Sequence, residues 1–131
     1  MLDLHVDFII QQRLFRYNAL RPHRAWMKGQ PLFYHADIPR MREAGYLGAC
    51  LGIHFFPWES ERGWREMNAQ IDYLDKIAEG HEEVFRVRSP GDWEIARSRG
   101  KLALAPGVES AHMLNGKLER VEELAKRGAA Y

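Results

Sequence analysis

Leu2-Asp3-Leu4-His5-Val6-Asp7-Phe8-Ile9 opens the chain with polar residues at 3, 5 and 7 between apolar ones at 2, 4, 6 and 8. A two-residue period is that of a β-strand with one face packed against apolar neighbours. That period sets Leu4, Val6 and Phe8 on the packed face. His5 and Asp7 then stand side by side on the other, near the strand's end. An imidazole and a carboxylate two residues apart on a strand can converge on one divalent cation without backbone strain, and zinc accepts that mix of nitrogen and oxygen. By itself a His-x-Asp pair is a weak signal. Its weight comes from the rest of the chain.

Residues 10–34 read as an irregular connection rich in basic and aromatic groups, among them Arg13, Phe15, Arg16, Tyr17, Arg21, His23, Arg24 and Trp26, with Pro22, Gly29 and Pro31 breaking any long helix. Such a stretch after a strand with candidate ligands serves either a site or the covering of the core. A short helix fits Asp37 to Ala44, with Asp37 as N-cap, Pro39 in the first turn and Gly45 as stop. The small and apolar run from Tyr46 to Phe56 reads as a strand buried on both faces, as in a parallel sheet covered by helices. Its small residues let other backbones approach. His54 near its end either faces the same site as His5 or is a hydrogen-bonded structural histidine.

Trp64, Met67, Ile71, Leu74 and Ile77 recur at steps of three and four, so residues 62–79 form an amphipathic helix with a core stripe. Val84 to Val87 is a short extended piece. Ser89 and Pro90 open another helix that Gly100 closes. Lys101 to Glu109 is the third strand and ends in a carboxylate. A last helix runs from about Lys117 to Arg127, and Ala129-Ala130-Tyr131 resembles the opening of a further strand.

Strands alternating with helices argue an α/β fold with parallel strands. No glycine-rich turn follows the first strand, which removes a dinucleotide-binding reading, while a flavodoxin-like open sheet fits the topology alone. His5, Asp7 and Glu109 all sit at carboxyl ends of strands, where a (β/α)8 barrel builds its site. That barrel needs about 250 residues. The 131 residues correspond to its first three to four β/α units, the N-terminal portion of a single barrel domain.

With 19 basic and 18 acidic side chains spread evenly, the chain carries a net charge of +1 and no basic block for nucleic acid. Cys50 is the only cysteine, so no internal disulfide shapes the fold. No apolar run spans a bilayer, and Asp3, His5 and Asp7 interrupt any signal-peptide pattern at the start. A cytoplasmic location is the expectation, unless a preceding segment carries an export signal.

Three ordered motifs make the sequence similar to the renal (membrane) dipeptidase family of zinc peptidases, metal-dependent amidohydrolases on a (β/α)8 barrel. His5-Val6-Asp7 resembles the family's first-strand His-x-Asp. His35-Ala36-Asp37-Ile38-Pro39-Arg40-Met41-Arg42-Glu43-Ala44-Gly45, followed by Gly48-Ala49, is similar to its His-Thr-Asp-Ile-Pro-Arg-Leu-Arg-x-Gly stretch. Gly107-Val108-Glu109-Ser110-Ala111-His112 is similar to its Gly-Val-Glu-Gly-Gly-His, with Ser110 and Ala111 standing where the family has glycines. The segment around Ile71-Asp72 and the ending Lys126-Arg127-Gly128-Ala129-Ala130-Tyr131 also follow the pattern.

The resemblance implies that His5 and Asp7 bind one zinc and that Glu109 bridges two. A carboxylate has two oxygens and can span cations about 3.5–4 Å apart, whereas an imidazole offers one lone pair. It further implies hydrolysis of a dipeptide or similar small amide by water that the cation pair activates. His112 and His35 are left as histidines that orient a ligand or hold the structure. The family's remaining ligands, two histidines and an aspartate on later strands, have no counterpart in these 131 residues. The chain alone is therefore expected to be inactive, and to self-associate as a homo-oligomer through exposed strand edges.

Two other classes fit less well. One is a non-catalytic domain that keeps the barrel scaffold and associates with itself or a partner. The other is a binuclear amidohydrolase acting on a non-peptide amide or lactone, whose first-strand motif is typically His-x-His where this chain has Asp7.

Overall fold

The computed structural model describes residues 1–23, 35–55 and 59–131. Arg24, Trp26, Gly29 and Pro31 of the basic-aromatic connection, and Phe56 and Pro57 after the second strand, lie outside the described residues. In chain order the elements are β1 (Leu2–Val6), α1 (Phe8–Phe15), α2 (Ile38–Glu43), β2 (Gly48–Ile53), α3 (Ser60–Gly80), β3 (Val84–Arg86), α4 (Pro90–Ser98), β4 (Leu102–Val108), a 3-10 turn (Ala111–Leu114) and α5 (Leu118–Lys126). The four strands form one sheet in the order β1-β2-β4-β3, and every pair is parallel. This is the α/β alternation expected from the sequence, with two additions. Helix α1 takes in residues 10–15, which the sequence reads as the start of an irregular connection. The extended piece at 84–86 is a true strand, paired through Val84–Leu102 and Arg86–Leu104 with the start of β4.

Parity along the central strands divides the sheet into two chemically different faces. Ala49, Leu51 and Ile53 of β2, with Leu102 and Leu104 of β4, join one large core with Met67, Ile71, Leu74 and Ile77 of α3 and Phe8 and Ile9 of α1. The opposite face carries Gly48, Cys50 and Gly52 beside Ala103, Ala105 and Gly107. Cys50, Ala103 and Ala105 pack there with Val87 and Ala96, and Trp93 of α4 closes over them. The small residues on this face make room for backbone, as expected from the sequence, and for side chains as well. A β-carbon at Gly48 would stand 2.3 Å from the Ala103 carbonyl oxygen and 2.9 Å from the Trp93 ring. Burial and the neighbouring Asp3 push the Cys50 thiol up, which keeps it protonated and unreactive.

The opening strand departs from simple alternation. It ends at Val6, and Phe8 and Ile9 belong to α1 instead of continuing the strand. Pairing with β2 slips between Asp3 and Val6, where three steps on β1 match two on β2. Such a bulge re-aims side chains. Within it Asp3 Oδ1 accepts from the His5 amide at 3.0 Å. Of the residues expected on the packed face, Val6 and Phe8 do pack against the core, whereas Leu4 is 71% exposed on an edge strand, beside Leu2 at 47%.

Helix ends follow local chemistry. Asp37 caps α2, its Oδ1 accepting from the Arg40 amide at 2.9 Å, while its buried Oδ2 accepts from the His23 amide and Arg40 Nε. Helix α3 begins at Ser60, two residues before the apolar stripe implies, because the Glu59 carboxylate accepts from the Glu61 and Arg62 amides. At α4, Asp92 returns a carboxylate oxygen to the Ser89 amide at 2.8 Å. Ala130 and Tyr131 extend alongside β4 as the sequence leads one to expect, through Ala130 N–H to Pro106 O and Val108 N–H to Tyr131 O at 2.8 and 2.9 Å.

Candidate metal centre

The carboxyl ends of β1, β2 and β4 meet where the small-residue face is lowest. His5 comes from the bulged end of β1 and Asp7 from the junction with α1. Glu109 directly follows β4, its amide still bonded to Ile53 O of β2 at 3.0 Å. His5 Nε2 lies 3.3 Å from Asp7 Oδ1 and 2.9 Å from Glu109 Oε1. One ligand atom from each residue falls within 4.8 Å of the others. Asp7 and Glu109 are 102 residues apart in sequence, and the parallel register brings them together.

Three observations test whether these residues suit a cation. First, the His5–Asp7 separation matches the edge of a tetrahedron, about 3.4 Å for metal–ligand bonds of about 2.1 Å, and the His5–Glu109 separation is shorter. Second, Asp7 Oδ1 and Glu109 Oε1 are buried atoms that accept no hydrogen bond, although both side chains are partly exposed. Buried carboxylate oxygens without donors are costly unless positive charge stands near them. Third, Asp7 occupies the N-cap position of α1 but makes no side-chain capping bond. An aspartate at that position ordinarily caps, and its carboxylate is turned to the site instead. The donor set of one imidazole and two carboxylates suits zinc.

Gly52 forms the floor. A β-carbon there would lie 2.2 Å from Asp7 Oδ1, 2.7 Å from Glu109 Oε1 and 3.1 Å from His5 Nε2. Sequence reading left Gly52 unremarked beyond its small size. The signal was present in the strand parity, since Gly48, Cys50 and Gly52 alternate with three large or apolar partners on the core face.

His54 also stands at this rim, its Nδ1 3.6 Å from Glu109 Oε1 and its carbonyl accepting from Gln70 Nε2 at 2.7 Å. Of its two sequence readings, the structure gives it a place beside the site. A cleft of about 660 Å³ opens beside His5 and Asp7, with His35, Arg40 and His54 among its polar lining and Phe8, Leu14 and Phe15 among its apolar lining. Its size is that of a small-molecule site. His35 therefore lies on the cleft, whereas His112 sits in the 3-10 turn after Glu109, half-buried.

Tyr131 was legible in the sequence as the opening of a strand and as the last residue of an ending that follows the family pattern, not as part of the site. Its hydroxyl lies 2.7 Å from His5 Nδ1 and 3.2 Å from Leu4 O. Burial, then the nearby Cys50, Glu109, Asp7 and Asp3, push the phenol above its usual range, so the hydroxyl keeps its proton. Nothing local in the sequence announces a contact between residues 5 and 131.

A parallel α/β sheet that gathers an imidazole and two carboxylates at the carboxyl ends of its strands places them where a barrel of this class builds its site, in a set suited to a metal ion. Comparison gives the family. The model of the membrane dipeptidases, peptidase family M19, matches residues 1–131, and the chain belongs to that family. Among solved structures it is similar to dipeptidase AC, a metallopeptidase of family M19, at 22% identity and a TM-score of 0.76, over 98% of this chain and 40% of that one. It is similar to a metallopeptidase from Rhodobacter sphaeroides bound to a phosphinate mimic of the dipeptide L-Ala-D-Ala, at 18% identity and a TM-score of 0.78, over 98% and 43%. The probable dipeptidase PvdM from Pseudomonas aeruginosa aligns at 16% identity and a TM-score of 0.73, over 98% and 32%. The chain thus spans between 32% and 43% of the length of these three structures, and aligns with part of their barrel.

Proposed function

We propose that the chain carries one part of a zinc-dependent dipeptidase centre, with His5 and Asp7 on one cation and Glu109 bridging to a second. The observation that carries this reading is the pair of buried, donorless oxygens on Asp7 and Glu109, set at ligand spacing around His5 Nε2. Bound cations would supply charge that acidifies water and polarises a carbonyl. The chain's own residues do the rest. Glu109, fixed by the hydrogen bond from its backbone N–H to Ile53 O of β2, presents one oxygen toward His5 and would have the other available for a second ion. The cleft beside His5 and Asp7 receives a dipeptide or similar small amide, the class to which the ligand of the Rhodobacter sphaeroides relative belongs.

Three residues, even with both oxygens of Glu109, cannot complete the coordination of two zinc ions. The 131-residue chain by itself should therefore bind zinc without hydrolysing dipeptides. Zinc retained after gel filtration, measured by elemental analysis, should fall sharply in Glu109→Gln while the far-ultraviolet circular dichroism stays unchanged. Glu109→Gln with wild-type zinc content defeats the bridging assignment. Dipeptide hydrolysis by the zinc-loaded chain above a His5→Ala control defeats the expectation of inactivity.

A second reading, a scaffold that associates with a second copy of itself, draws on the β1 edge with its exposed Leu2 and Leu4. Sedimentation of the same samples separates the two. Self-association without zinc uptake favours the scaffold, and zinc uptake favours the metal centre.

A further inference from the structure

We propose that Tyr131 is a positioning residue for His5, holding the imidazole in the tautomer whose proton sits on Nδ1 so that Nε2 is free to bind a cation. This rests on the metal-centre reading above and deepens it.

The assignment follows from counting protons. The Tyr131 hydroxyl touches two groups, the Leu4 carbonyl oxygen at 3.2 Å and His5 Nδ1 at 2.7 Å. A carbonyl oxygen only accepts, so for both contacts to be hydrogen bonds the single phenolic proton must go to Leu4 O. The phenolic oxygen is then left to accept, and the group that donates to it is His5 Nδ1–H. A neutral imidazole with its proton on Nδ1 carries its lone pair on Nε2. That is the nitrogen 2.9 Å from Glu109 Oε1 and 3.3 Å from Asp7 Oδ1. In the metal-free chain the Tyr131 bond holds this tautomer against the repulsion between the Nε2 lone pair and the two carboxylate oxygens, a repulsion that a cation among them would relieve. The hydroxyl and the cation therefore select the same tautomer.

The backbone and one glycine put the ring where it can do this. Tyr131 is tied to β4 by Val108 N–H to its carbonyl at 2.9 Å, and its side chain crosses the small-residue face to reach β1. It passes directly over Gly107, where a β-carbon would lie 2.3 Å from Tyr131 Cζ and 2.5 Å from its hydroxyl oxygen. Gly107 thus does for Tyr131 what Gly52 does for the carboxylates. A hydrogen bond on the distal nitrogen of a metal-binding histidine fixes ring orientation and tautomer, and losing one typically costs about 10–100-fold in metal affinity.

The test uses the metal-free chain with 15N-labelled histidine. The 15N shifts of His5 should report the proton on Nδ1 in the wild type. Tyr131→Phe keeps the ring and deletes the hydroxyl, and Gly107→Ala displaces the ring. Both should move His5 toward the Nε2–H form. Both should also lower zinc affinity, read by competition with a chromophoric chelator, by about 10–100-fold. A wild-type His5 protonated on Nε2, or a tautomer and zinc affinity unchanged in Tyr131→Phe, overturns the role of Tyr131 alone. A wild-type chain that takes up no zinc while its tautomer still follows Tyr131 overturns the metal centre, and with it the purpose assigned to this hydrogen bond.

Discussion

Gly52 lies so close beneath Asp7 that a β-carbon at position 52 would stand 2.2 Å from Asp7 Oδ1. The clash is with the ends of side chains, since Glu109 Oε1 and His5 Nε2 are the next atoms met, at 2.7 and 3.1 Å. Ends of side chains move at little cost to the fold, but a metal centre does not survive that movement. Gly52→Ala should therefore leave the thermal midpoint near that of the wild type and abolish zinc retention. Retained zinc in Gly52→Ala would mean that the ion sits elsewhere than between these three residues.

Ser110 follows Glu109 with φ 70° and ψ 123°, a backbone region that residues with a β-carbon seldom enter. The membrane dipeptidase motif has glycine at this position. Holding a serine there costs about 1–3 kcal/mol, of which glycine's greater freedom in the unfolded chain takes back about 0.5–1 kcal/mol. Ser110→Gly should raise stability in urea unfolding by a net amount of up to about 2.5 kcal/mol. A lowered midpoint would show that the strain at Ser110 is smaller than the freedom glycine gains in the unfolded chain.

What the sequence made legible was whatever a local period or an ordered motif encodes. The α3 stripe is buried at Met67, Ile71, Leu74 and Ile77, and the parallel α/β order follows the alternation of elements. The three residues selected by motif, His5, Asp7 and Glu109, do lie together. Helix α1 was not legible, because Phe8-Ile9-Ile10 continues the apolar run of β1 and Asp7 gives no capping signal when its carboxylate faces the site. The bulge in β1 was equally hidden: a slip in register depends on the partner strand, not on the strand's own alternation. β3 was too short to separate from a loop until β4 paired with it. Tyr131 and the floor at Gly52 depend on contacts across the sheet, which no one-dimensional period carries.

Glu61 supplies the clearest pH dependence outside the site. Its carboxylate, near the start of α3, accepts from Lys117 Nζ at 2.8 Å, from Arg120 and from Asn115 Nδ2 at 3.2 Å. It thereby ties α3 to the segment that enters α5. Arg120 is itself buried, gives a second hydrogen bond to Met113 O at 2.7 Å and lies over the Trp64 ring at 4.7 Å. The bonds from Lys117, Arg120 and Asn115, in that order, lower the Glu61 pKa from 4.5 to about 2. A carboxylate whose folded pKa is depressed stabilises the fold in full above its unfolded pKa, and the contribution disappears as pH falls through the folded value. The window is therefore from 4.5 down to about 2. Glu61→Gln should unfold at lower urea than the wild type above that window, and the gap should close as the solution is acidified through it. Because Glu61 is partly exposed, salt should narrow the gap as well. A gap that stays constant from neutral pH to pH 2 would show that the three bonds contribute nothing through the charge of Glu61, and that its role is one of packing.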